Sequence, residues 1–214
     1  PVAHVALIGT YPDNGSMTKS NFAIRAFRAE DYPQIQDIYE QGLVTGNASY
    51  EHRPLTLEEF IDGKNMDTVF VAVELHDESK VIGWVSGAPI SQRPVLAGVL
   101  EDSIYVDPEA HGRRIASGLL DKFIEVCQEL GMWAIHSWIF PENEGSVKLH
   151  VSRGFEEVGT YKHLAKMTYG PRAGEWRDTV VYQKLLPKPE KVTAEEEFET
   201  TASERIKAQR PLQS

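Results

Sequence analysis

The chain has 214 residues and a mass of 24.0 kDa, room for one domain with extensions but tight for two. Hydrophobic residues at 41% and charged residues at 25% describe an ordinary packed chain, which excludes collagen-like, mucin-like and wholly disordered readings. Acidic residues outnumber basic ones 32 to 22, giving a formal charge of -10 and a pI near 5.2, a poor field for nucleic acid or anionic lipid.

Neither nucleic acid nor membrane is therefore expected as a partner. One cysteine, Cys127, excludes an internal disulfide, and no Cys or His spacing suits zinc, so no metal is expected. No apolar run approaches the roughly 18 residues of a membrane span. A cytoplasmic protein is expected.

In chain order, residues 1 to 21 read as an N-terminal extension: a short apolar stretch, Val5 to Ile8, and then a Gly, Pro, Asp, Asn and Ser cluster. Phe22, Ile24 and Phe27 predict a strand, and Ile35, Ile38, Tyr39 and Leu43 recur at helical spacing. Thr56 and Glu59 form a capping-box pair that starts a second helix. Thr68 to Leu75 and Val81 to Ala88 predict a hairpin closed through His76 to Lys80.

A strand from Leu100 to Val106 stops at Asp107 and Pro108. A helix from about Gly112 to Leu130 follows, with Ile115, Leu119, Phe123, Val126, Cys127 and Leu130 on one apolar face and Gly131 at its end. Then come a strand at Ala134 to Ile139, a helix from about Gly145 to Arg153, a strand at Phe155 to Tyr161 and a last strand at Asp178 to Leu186. The order β-α-α-β-β-β-α-β-α-β-β is that of an α/β layered domain spanning 22 to 186. Residues 187 to 214, with Pro187, Pro189 and the run Glu195 to Glu197, read as a C-terminal tail, mobile or docked as a helix.

Chemistry concentrates in 100 to 155. The segment Ile104 to Ser117 is a strand, a tight turn and a helix start, with small or basic residues where the helix opens. Unpaired N–H groups there, aided by the helix dipole and by Arg113 and Arg114, suit a pyrophosphate. An ordinary strand-turn-helix with solvated arginines fits the same pattern.

Three separated stretches resemble the GNAT superfamily of N-acetyltransferases and, within it, the phosphinothricin acetyltransferase-like family. Gly46-Asn47-Ala48-Ser49-Tyr50-Glu51 is similar to that family's N-A-S-F-E segment. Glu101 to Val106 and the 111 to 117 turn resemble its E-x-S-V-Y-V strand and acetyl-CoA loop. Asn143 to His150 with Gly154-Phe155, and then Gly174, Trp176 and Asp178, follow its N-x-x-S-x-x-L-H-x-x-x-G-F and G-x-W-x-D patterns.

The resemblance implies a GNAT fold: a mixed, mostly antiparallel sheet with helices on both faces and a parallel strand pair splayed to admit the CoA arm. It implies acetyl-CoA as co-substrate, held by the backbone of Ile104, Tyr105 and Val106, by the loop His111, Gly112, Arg113, Arg114, Ile115, Ala116 and Ser117, and by Asn143. For Asn143, a helix cap is the plainer reading. The loop departs from the family pattern at His111, where Gln or Arg is usual, and at Arg114, where glycine is usual.

The resemblance makes Glu101 the general base that takes the amine's proton, with a strand-edge carboxylate facing solvent as the competing reading. It makes His150 the group that protonates the departing thiolate, with a histidine packed on a helix face as the competing reading. Arg93 aligns with an arginine that herbicide-modifying members use near the substrate's anionic groups, a solvated loop arginine being the other reading, and Tyr50 and Tyr105 fall near the acceptor. Leu96 and Ala173 replace a tyrosine and a histidine of those members. Trp176 is expected in the core.

The implied reaction is acetyl transfer to the primary amine of a small molecule, an amino acid or analogue of the phosphinothricin or methionine sulfoximine type, by a homodimer. Two other readings stand beside it: a CoA- or partner-binding domain without turnover, and acetylation of a protein N-terminus or lysine.

Overall fold

The computed structural model describes residues 21–187; the expected N-terminal extension and C-terminal tail lie, but for their inner ends, outside the described residues. Seven strands form one sheet: β1 (Phe22–Ala26), β2 (Asn65–Glu74), β3 (Asp77–Pro89), β4 (Val99–Val106), β5 (Ala134–Ile139), β6 (Glu156–Lys166) and β7 (Trp176–Leu185). Their spatial order is β1-β2-β3-β4-β5-β7-β6. All neighbours are antiparallel except β4 and β5.

Four helices cover the two faces: α1 (Tyr32–Val44), α2 (Leu57–Gly63), α3 (Ile115–Glu129) and α4 (Glu144–Ser152). Strand periodicity assigns the faces. Phe22, Ile24, Ala72, Leu100, Ile135 and Ile139 pack with Ile115, Leu119, Leu120, Phe123 and Cys127 of α3. Ala23, Val71, Val73 and Trp84 point the other way, against Ile35 and Ile38 of α1 and Phe60 of α2. Burial pushes the Cys127 thiol up to about 12, so it is an inert core residue.

The expected elements are present, but the hairpin closes more tightly than expected, since β3 already starts at Asp77, paired with Glu74, and only Leu75 and His76 lie between the strands; four further corrections apply. First, α3 starts at Ile115 rather than near Gly112, because Gly112 and Arg114 both hold positive φ (80° and 61°) and cannot continue a helix. Second, β6 runs on to Lys166, five residues past the expected end, by pairing with an early start of β7 at Trp176. Third, Trp176 is 57% exposed, lying under the Lys166 ammonium and beside His163; it is not a core residue. Fourth, Leu130 is also largely exposed, because α3 has already ended at Glu129.

Candidate active site

The parallel pair β4–β5 is joined at three positions only: Val99 with Ala134, Leu100 with Ile135, and Glu101 with His136. Asp102 to Val106 keep their pairing to β3 but not to β5. Alternate peptide groups along that stretch therefore face a gap that opens directly after Glu101. The gap belongs to a cleft of about 1100 Å³, lined by Glu101 to Val106, by Ser137 to Phe140, by the first turn of α3, by α4 and by the loop 45–50.

At one end of the cleft α3 presents its N-terminus. The first helical bond joins the Gly118 N–H to the Arg114 carbonyl at 3.1 Å, so the N–H groups of Ile115, Ala116 and Ser117 precede any helical acceptor. Gly112 has open space around it. His111, Gly112, Arg114, Ile115, Ala116 and Ser117 all border the cleft. Arg114 adopts the left-handed conformation, φ 61° and ψ 21°, that a glycine at this place would take without strain. Arg113 departs from expectation: its guanidinium makes a bidentate pair with Glu74, both bonds 2.8 Å, and turns away from the turn it was expected to assist.

Glu101 stands at the last joined position, where the gap begins. Burial raises its pKa, Lys64 opposes that, and Asp102 adds to it. Lys64 follows α2 and reaches over β3, placing Nζ 3.5 Å from Ser103 Oγ. Burial lowers its own pKa, against the attraction of Glu101, Asp102 and Glu51. A sequence reading gives no reason to single out this lysine, which looks like an ordinary solvated residue at a helix end.

Asp102 points to the opposite face from Glu101. It accepts hydrogen bonds from Ser137 Oγ and from His150 Nε2, the latter at 2.8 Å. His150 Nδ1 lies 2.8 Å from the Ser146 carbonyl. His150 is 3% exposed. Both its ring nitrogens are engaged, so the geometry leaves it no proton aimed at a departing group.

The loop 45–50 forms the wall facing Glu101 and is held from four sides. The Tyr105 hydroxyl donates to the Ala48 carbonyl at 2.9 Å, Tyr39 bonds Ser49, and Asn143 Nδ2 donates to the Asn47 carbonyl. Arg177, 1% exposed, donates to the Gly46 carbonyl at 2.7 Å, to Asn47 Oδ1 and to Glu142, with its guanidinium 3.9 Å from the Phe140 ring centroid. Gly42 of α1 permits this arrangement: a Cβ there would meet the Tyr105 ring at 2.8 Å.

The structure thus brings together Glu101, Ile104, Tyr105, Val106, Tyr50, Asn143, His150 and, of the turn, His111, Gly112 and Arg114 to Ser117, while Arg113 stands outside the cleft lining. The Tyr105 ring itself is committed to packing, stacked on Trp84 with centroids 4.8 Å apart. Asn143 Oδ1 caps α4 by accepting from Ser146 N–H, and Nδ2 remains at the cleft wall. Arg93 is exposed on the 90–97 loop and does not line the cleft. Among the described residues no cluster of His, Cys, Asp or Glu suits a metal, and no helix is long and apolar enough to cross a membrane.

A gap between parallel strands that ends at unpaired helix N–H groups fits an extended thioester arm terminating in a pyrophosphate. Comparison with known proteins agrees. Residues 29–155 match the model of the acetyltransferase (GNAT) family. The chain is 30% identical to a phosphinothricin N-acetyltransferase of Alcaligenes faecalis over 76% of its own length and 82% of that protein. It is 28% identical to the L-amino acid N-acetyltransferase AaaT of Escherichia coli, covering 74% and 94% of the two chains. A GNAT superfamily phosphinothricin acetyltransferase of Sinorhizobium meliloti, solved in complex with acetyl-CoA, superposes with a TM-score of 0.68 at 28% identity over 81% of this chain and 96% of that one. The chain belongs to the acetyltransferase (GNAT) family and is an acetyl-CoA-dependent N-acetyltransferase.

Proposed function

We propose that the acceptor is the primary amine of a small molecule, an amino acid or an analogue of the phosphinothricin or methionine sulfoximine type, and that Glu101 takes the amine's proton. The observation that carries this reading is the position of Glu101 at the point where β4 and β5 part, with its pKa raised by burial. A carboxylate moved toward neutrality is a stronger base than a solvated one. The names of the two curated relatives, one acting on phosphinothricin and one on L-amino acids, support the acceptor class.

Acetyl-CoA supplies the activated acetyl group as a thioester. The free peptide groups of Ile104 to Val106 hold its arm, the N–H groups of Gly112 to Ser117 receive its pyrophosphate, and Asn143 Nδ2 contacts the arm where it passes the cleft wall. The amine nitrogen attacks the acetyl carbon while its proton passes to Glu101, and the departing thiolate takes a proton from water in the open cleft. His150 enters as the partner that fixes Asp102 and the neighbouring peptide of Glu101, in place of the acid role implied by resemblance. Arg93 lies outside the cleft lining, so no acceptor contact is assigned to it in this reading.

A homodimer belongs to the same proposal, with the outer edge at β6 and β7 as its surface, where Val158, Leu164, Trp176 and Leu185 are exposed. Release of free thiol from acetyl-CoA across a panel of small amines and peptides tests the reading. Turnover with small amino acids or their analogues supports it. Turnover with peptides alone contradicts it.

A further inference from the structure

On the acceptor side of the cleft two aromatic rings have no part in acetyl transfer. Trp138 of β5 and Tyr161 of β6 stack with centroids 5.4 Å apart and planes 19° apart, yet 38% and 51% of their surfaces are exposed. Two large rings held flat against each other and left open to water form an apolar surface that a bound group can cover.

Register places this surface beside the base. His136 is the residue opposite Glu101 across the parallel pair, and Trp138 lies two residues further on, on the same face and about 6.6 Å along the strand. Tyr161 pairs with Thr179, whose hydroxyl bonds the Tyr50 hydroxyl, so Tyr50 of the loop 45–50 borders the same face. His136, between Glu101 and Trp138, has its pKa lowered by burial and bonds Gln183 at 2.9 Å. Burial therefore favours the uncharged imidazole on the strip from base to rings.

We propose that the Trp138–Tyr161 pair is the side-chain subsite of the acceptor, and that the amine carries an aromatic or extended apolar group set off from its nitrogen by a short carbon chain. This rests on the small-amine reading above and deepens it. With the nitrogen at Glu101, such a chain follows β5 past the uncharged His136 and lays its terminal group on the Trp138 ring. A small polar acceptor leaves the rings in water and gains nothing from them.

The test measures initial rates of thiol release by the full chain, at saturating acetyl-CoA, with L-phenylalanine, L-alanine and phosphinothricin. The proposal expects kcat/KM for phenylalanine to exceed that for alanine by about ten-fold or more, the size of a good ring contact. Trp138→Ala and Tyr161→Ala remove that preference through KM, Tyr161→Ala leaves alanine unchanged, and Trp138→Phe restores most of the preference. Equal or better use of alanine or phosphinothricin by the wild type overturns the subsite, as does an equal loss for all amines in both alanine variants. Sedimentation velocity covers the other occupant: a dimer that Trp138→Ala dissociates, with amine preference unchanged, assigns the rings to a second copy and overturns the proposal. Thiol release with none of the amines overturns the small-amine reading, and this subsite with it.

Discussion

His150 and Asp102 face each other across 2.8 Å with side chains only 4% and 2% exposed, and the Ser146 carbonyl sits on the far nitrogen of the imidazole. A carbonyl only accepts, so Nδ1 carries a hydrogen; an ionised carboxylate only accepts, so Nε2 carries one too. Burial opposes the charged imidazole, but Asp102 and the Ser146 carbonyl outweigh it and raise its pKa. The sign of the linkage follows: the stabilisation is fully present below the unfolded value near 6.5 and is lost as pH rises through the raised folded value.

Asp102→Asn should therefore lower stability by about 1.5 to 3 kcal/mol below pH 6.5, the worth of hydrogen bonds to charged groups. The deficit should shrink as pH rises past the raised His150 pKa. Denaturant unfolding from pH 5.5 to 9 checks this; a variant that follows the wild-type slope throughout contradicts the ion pair.

A second prediction concerns Lys64. Glu101 is faced by Lys64 from the end of α2, Asp102 on its own strand, Tyr50 from the loop 45–50, and His136 on β5. Of these only Lys64 favours the carboxylate. Because Glu101 must be ionised to act as base, kcat/KM should fall on the acid side at a pH above the ordinary carboxylate value of about 4.3. Lys64→Met should move that acid limb to still higher pH, whereas Lys64→Arg should leave it in place. An unmoved limb in Lys64→Met would mean that the lysine does not act on the base.

Arg114→Gly addresses the departure in the pyrophosphate turn. A side chain held at φ 61° carries about 1 to 2 kcal/mol of strain, part of which is offset by the greater freedom of an unfolded glycine. The variant should be slightly more stable without ligand. It should bind acetyl-CoA less tightly and with a weaker dependence on salt, since a positive charge at the cleft is removed. Thermal shifts at several salt concentrations measure both; tighter binding would show that the Arg114 side chain obstructs the turn.

Arg177→Met should release the loop 45–50. Loss of its bonds leaves the Gly46 carbonyl and Asn47 side chain without their donor, at a cost of about 1 to 3 kcal/mol. The more telling effect is kinetic: KM for the amine should rise well beyond KM for acetyl-CoA, since the loop borders the acceptor side. Equal changes in the two constants, or none, contradict the positioning role.

Much of this was legible in the sequence, because the elements are built from local patterns. The capping box at Thr56 and Glu59 is present, with Thr56 N–H donating to Glu59 at 2.7 Å. The apolar face of α3 from Ile115 to Cys127 is buried as its spacing predicted. The placement of Glu101 at the mouth of the strand gap follows the expected splay.

What escaped depends on partners far along the chain. Arg177 reads as one polar residue in a strand, and its acceptors Gly46 and Asn47 lie about 130 residues away. Lys64 reaches Ser103 across an intervening strand. Arg113 was assigned to the turn because of its neighbours, yet Glu74 at the end of β2 claims it. His150 lines the cleft as expected, but nothing in its helix announces that Asp102 will occupy the nitrogen facing the sheet.

Whether Glu101 is the base of acetyl transfer to a small amine is read from Glu101→Gln in the amine-dependent thiol-release assay. The rate should fall by about 100- to 10,000-fold, the usual range for losing a general base, with acetyl-CoA affinity by calorimetry nearly unchanged. A Glu101→Gln enzyme that keeps the wild-type rate across the pH range contradicts it.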